Sequence, residues 1–235
     1  MLKGLPISRL TVTFLLGACL CGLTLFSGCQ SASDFQVKDL AKTDINQVSE
    51  IHMNQAVALM KTLTEKLYKK NPNELKKNPG QTIQSRIEQI FSCPSAGPFT
   101  ELSTQSGTDA ILLGFEPGFT GDRVFAVMFG LHSMLRQAYN DKCELFMLDF
   151  LNEQSLYNSA RNIEILVWRL KTRTNENGEL FLLTNSQDNL SYERLFGKLI
   201  SLQDTMARIV SRRTGRMIKE VVHIAAGMAF MPVNL

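Results

Sequence analysis

The chain has 235 residues, with 25 Lys and Arg against 22 Asp and Glu, so its formal net charge is +3. That is enough chain for one domain with a substantial core. The near balance of charge gives no reason to expect a nucleic-acid partner.

The first element is an N-terminal segment. Met1 to Arg9 carries Lys3 and Arg9 and no acid, and the 17 residues Leu10 to Phe26 are all apolar, Gly, Thr or Cys. A basic start followed by an apolar run and small residues is the layout of a secretory signal peptide. A retained membrane helix is the competing reading, because 17 residues reach the lower limit for a span. Gly17 and Gly22 weaken such a helix, and no basic or aromatic belt follows it.

The run ends in Leu25-Phe26-Ser27-Gly28-Cys29-Gln30, which resembles the lipobox of bacterial lipoprotein precursors. Phe26 stands where that pattern usually has Leu, with Leu25 adjacent. The resemblance covers about the first 30 residues. It implies a diacylglyceryl group on the Cys29 thiol, cleavage before Cys29 and acylation of the new amine. Two or three acyl chains anchor stably where one does not. Lipoproteins retained in the inner membrane of enteric-type cells usually carry Asp after the cysteine. Gln30 therefore implies the outer membrane, with the folded body in the periplasm. Residues 1–28 are expected to be removed, residues 29–43 to serve as lipidated end and flexible tether, and residues 44–235 to form a helical periplasmic domain. The cut leaves 207 residues with 23 basic and 22 acidic side chains.

Cys19 and Cys21 leave with the signal, and Cys29 carries lipid, so Cys93 and Cys143 remain. In an oxidising compartment two such thiols suggest a disulfide. Closing a loop of 50 residues would stabilise the fold by roughly 4 kcal/mol through chain entropy. Two separate buried thiols are the alternative.

Along the domain, Asp44 and Gln47 are spaced as in a capping box. Ile45, Val48, His52, Ala56, Leu59, Leu63 and Leu67 then form one helical stripe, which Asn71-Pro72 stops. Ile83, Ile87, Ile90 and Phe91 mark a short second helix, followed by a long loop through residues 92–108. Ala110 to Phe115 could be strand or helix. Val124 to Leu131 is apolar almost all round, which predicts a central helix. Cys143 to Phe150 is again ambiguous. Leu156, Ala160, Ile163, Val167 and Leu170 give a clean stripe that ends at Asn177-Gly178, and Glu179 to Leu183 could be a strand. Leu195, Leu199, Leu202, Met206 and Ile209 define a further helix, and residues 217–230 a last one closed by Pro232. The expected fold is an all-α bundle of five or six helices around a buried central helix, with a few short strand-like segments. No repeat period is visible.

The chain lacks the Gly-x-Ser-x-Gly elbow, Ser-x-x-Lys, His-Glu-x-x-His, the P-loop and the dinucleotide fingerprint, so no cofactor is expected. His52 and His132 lie on apolar stripes, His223 shares a face with Lys219 and Glu220, and no pair has metal-ligand spacing. In Glu116 to Phe125 the ordinary reading makes Asp122 the cap of the central helix, and the sharper one makes Asp122-Arg123 part of an anion site. Tyr157, Asn158, Ser159, Arg161 and Asn162 are either a buried hydrogen-bond network or, with Tyr157, Arg161 and Trp168, a partner surface. The basic runs 66–77 and 208–219 are solvated faces, or they meet anionic headgroups.

These features favour a non-enzymatic envelope lipoprotein that binds a protein partner or aids assembly. The alternative is an envelope enzyme or lipid-handling protein with a fold-assembled site near Asp122, Arg123 and His132, and a third reading is a purely structural tethered domain.

Overall fold

A stretch of 27 residues, Asp44–Lys70, forms the longest helix of the computed structural model (α1). The structure describes residues 44–146, 149–185, 189–220 and 229–234. The predicted leader, Cys29 and His223 lie outside them. Helix α1 buries Ala56, Leu59, Met60, Leu63, Leu67 and Tyr68 on one side. Two polar residues share that face at no cost in unpaired groups: the Ser49 and Thr64 hydroxyls donate to the carbonyls of Ile45 and Met60, at 2.7 and 2.8 Å. Lys69 and Lys70 close the helix, where cations suit its dipole. The chain turns at Asn71 into α2 (Pro72–Lys76), whose proline occupies a first-turn position that needs no N–H.

Helix α3 (Ile83–Phe91) starts with reciprocal bonds between Thr82 and Ser85. A 3₁₀ turn at Thr100–Leu102 and the short α4 (Gly107–Leu113) lead to α5 (Arg123–Ala138). Helices α6 (Glu153–Thr172) and α7 (Ser191–Thr214) complete the seven helices found among the described residues. Asn152 caps α6, its side-chain oxygen accepting from the amides of Gln154 and Ser155 at 2.8 and 3.0 Å.

The all-α fold is as expected. Thirteen of the sixteen residues of α5 are buried, which makes it the central helix. It is surrounded by α1, α3, α4 and α6, while α7 packs along α6 and also meets α1. Gly130 permits the closest approach in this core. A Cβ there would lie 2.7 Å from both the Gly107 carbonyl oxygen and the Ile111 amide nitrogen, so α4 rests directly on the α5 backbone.

The ambiguous run 110–115 falls mostly in α4. Among the described residues there is no strand, only an isolated bridge between Thr174 and Leu180. The run 179–183 folds back on residues 173–175, the Phe181 amide donating to the Arg173 carbonyl at 3.3 Å and the Asn175 amide to the Glu179 carbonyl at 2.8 Å. At its end the Asn71 side chain donates to the Leu183 carbonyl at 2.9 Å and accepts from its amide at 2.7 Å.

The predicted helix over 217–230 does not extend into its described ends. Residues 217–220 and 229–230 are irregular, and 221–228 lie outside the described residues. Gly215, at φ +70°, ends α7. Gln154 of α6 donates to the Lys219 carbonyl at 3.2 Å, a group that a helix would use internally, and accepts from its amide at 2.8 Å. Just past the predicted run, Asn162 accepts from the Met231 amide at 2.7 Å.

Candidate functional site

At the start of α5 the sequence places Asp122 just before a run that must be buried. The carboxylate is enclosed with it, 1 % exposed. One oxygen accepts from the Phe125 amide at 2.9 Å, and the other from the Tyr68 hydroxyl at 2.8 Å. Arg86 Nε lies 3.5 Å from that second oxygen. The same guanidinium, itself 1 % exposed, grips Glu101 with two bonds of 2.6 and 2.8 Å. It also lies over the Phe125 ring at 4.1 Å, a cation–π contact sheltered from water. Burial raises the Asp122 pKa against the pull of the Phe125 amide, Tyr68 and Arg86. Burial and the neighbouring Asp122 also raise that of Tyr68.

Arg123 is equally committed. Its guanidinium donates to the carbonyls of Gly114, Glu116 and Phe119 at 2.8, 2.9 and 2.8 Å and stacks on Phe181 at 4.3 Å. Its amide donates to Glu74 at 2.7 Å. The first-turn amides of Arg123 and Phe125 therefore already have carboxylate partners. Asp122 is the cap that the ordinary reading expected, and Arg123 fastens the preceding loop. What the sequence did not disclose were Tyr68, Arg86, Glu74 and Glu101. One signal was available: Arg86 shares a helix face with Ile83 and Ile90, and a charge on such a face calls for a buried partner.

His132 stands ten residues after Asp122, about 15 Å along the helix axis, so the fold does not join them in one site. The imidazole is 5 % exposed and packs edge-on against Phe91 with ring centroids 4.9 Å apart. Burial, aided by the positive charges of Arg136 and Lys61, pushes its pKa down to about 4, against a bond to the Ile90 backbone. The ring is therefore neutral at pH 7.

His132 lines a cleft of about 140 Å³ between α1, α5 and the end of α3. Met53, Val57 and Met60 form one wall, Leu135 and Tyr139 another, with Phe91 at the side. The disulfide between Cys93 and Cys143 closes one edge, its Cα atoms 5.7 Å apart, and Arg136 and Lys142 stand beside it. Among the described residues, none of those lining the cleft is acidic.

On α6, Arg161 is fixed between Glu164 and Asp204 at 3.0 and 2.8 Å and covers the Tyr157 ring at 4.8 Å. Tyr157 is buried, and Trp168 is half-buried about three turns further on, with Arg173 over its ring at 5.5 Å. Tyr157 and Arg161 are thus brought together and tied to α7, and Trp168 stands apart from them. The other polar residues of this segment form a buried network. Asn158 donates to the Pro232 carbonyl at 2.7 Å, and Asn162 to the Met231 carbonyl at 2.8 Å. Ser159 meets Gln203 of α7 at 3.3 Å.

Among the described residues no three His, Cys, Asp or Glu side chains gather as a metal site would require. Comparison of the chain with protein-family models, curated proteins and solved structures returns no match.

Proposed function

We propose that the chain is the precursor of a lipoprotein anchored through Cys29 in the bacterial outer membrane, whose helical domain lies in the periplasm and binds an envelope protein rather than catalysing a reaction. The observation that carries this reading is the order of its first thirty residues: basic start, apolar run, Ser27-Gly28-Cys29, then the polar Gln30-Ser31-Ala32-Ser33. The Cys93–Cys143 disulfide supports it, because such bonds persist in oxidising compartments. No helix among the described residues is long and apolar enough to cross a membrane, and an acylated Cys29 would need none.

Intact-mass measurement on protein extracted from membranes tests the anchor. The expected species lacks residues 1–28 and carries two or three acyl chains, and Cys29→Ser accumulates as uncleaved precursor. An unacylated mature mass would overturn the reading. Crosslinking in intact cells tests the partner: one reproducible envelope protein is expected, and none after repeated trials counts against a binding role.

A further inference from the structure

We propose that the cleft between α1, α5 and the Cys93–Cys143 disulfide is a binding site for a small aliphatic carboxylate, its chain lying on the methionine-lined floor and its charge meeting Arg136 and Lys142. The floor is apolar and adaptable. Met53 and Met60 supply flexible thioethers that repack around different shapes, and Val57, Leu135 and Phe91 complete a surface with little to hydrogen-bond. At about 140 Å³ the cleft is close to the size of an apolar cavity, roughly 150 Å³, that accepts benzene. It is smaller than a drug-sized pocket of about 300 Å³ or more. It therefore suits about six to eight carbons, not a whole lipid.

Charge selects the head group. Arg136 and Lys142 line the cleft and none of its other lining residues is acidic. Lys61 stands at the Phe91 side, its Nζ 5.9 Å from that ring. These cations are only loosely engaged. Arg136 donates to the Asp141 carbonyl at 2.8 Å, with the Asp141 carboxylate 3.9 Å away. Its Nε, buried, has no hydrogen-bond partner among the described residues. Lys142 is 3.6 Å from Asp149 and half exposed. By contrast, Arg123 gives its guanidinium to three loop carbonyls, and Arg86 grips Glu101 with two bonds of 2.6 and 2.8 Å. Neutral His132 adds no net charge to the floor and leaves the two cations to set the preference for an anion. The proposal does not depend on lipidation of Cys29.

The test is a titration of the full chain, labelled with ¹³C at its methionine methyl groups, with sodium octanoate. The expected result is saturable shifts at Met53 and Met60, half-complete at about 1 mM or below, with the core residues Met134 and Met206 unmoved. Octanol, of the same length without the charge, should bind at least about twofold to fivefold more weakly, as should octanoate to Arg136→Gln or Lys142→Gln, the size of one exposed ion pair. Val57→Phe, which fills the floor, should abolish the shifts. Lys142 lies at the surface, so its variant tests the charge without disturbing the core. Absence of saturation by about 10 mM, equal shifts at Met134 and Met206, or octanol binding as tightly as octanoate would each overturn the proposal.

Discussion

The two ends of α5 treat charge in opposite ways. At its start Asp122 accepts from Tyr68 and Phe125, the buried Arg86 grips Glu101, and Arg123 bonds the carbonyls of its own loop, so little is left to offer a ligand. Toward its other end, Arg136 and Lys142 border an open apolar hollow and hold their acidic neighbours at 3.9 and 3.6 Å. A buried charge whose partners lie within the fold is architecture. Function is better sought where charge is present and loosely held.

The largest effect should come from breaking the closed end. Arg86→Ala leaves the Asp122 and Glu101 carboxylates without their cation and should cost about 3–5 kcal/mol in urea unfolding. A loss below about 1 kcal/mol would mean that the network does not hold this end together. At the open end, replacing Cys93 and Cys143 together by Ser should cost roughly 4 kcal/mol, because a 50-residue loop is released in the unfolded chain. The bundle is expected to remain helical by circular dichroism.

His132 sharpens the contrast through pH. Its folded-state pKa, about 4, lies below its ordinary value of 6.5, so the unfolded chain binds the extra proton between these limits. The stability that the neutral ring contributes is complete above about pH 6.5 and is lost as pH falls through about 4. Denaturation at pH 7 and at pH 4 should therefore show about 3 kcal/mol less pH sensitivity in His132→Phe than in the parent chain. Equal slopes would place the ring in water.

The smallest change bears on the segment between the two ends. Gly130→Ala brings a methyl group to 2.7 Å from the α4 backbone, so α4 must shift, at about 1–3 kcal/mol. Thermal unfolding measures this. A neutral result would mean that α4 is free to move.

Much of this arrangement was legible in the sequence because local rules decide it. The apolar run Val124 to Leu131 could only be a buried helix, Asp122 preceded it as caps do, and the count of cysteines left Cys93 and Cys143 to pair. Other parts depend on distance that no local pattern records. Arg86 meets a residue 15 positions on and another on a different helix. Asn71 meets Leu183 across 112 residues, so the end of a run that reads as strand is tied to the turn after α1. The predicted last helix is absent from its described ends for a similar reason, since Gln154 takes both backbone groups of Lys219 from a distance of 65 residues. The cleft was invisible to the sequence because its apolar floor is made of residues that would each pass as core, and its cations lie far along the chain from Met53 and Met60.

The attachment of Met231 and Pro232 to Asn162 and Asn158 bears on how the chain is completed during synthesis. These amides sit in the middle of α6, and their acceptors follow them by 74 and 69 residues. A product stopped short of position 231 would lose the carbonyls to which Asn158 and Asn162 donate, and would be looser and easier for proteases to find. Met231 and Pro232 thus fasten the middle of α6 from a distant part of the chain.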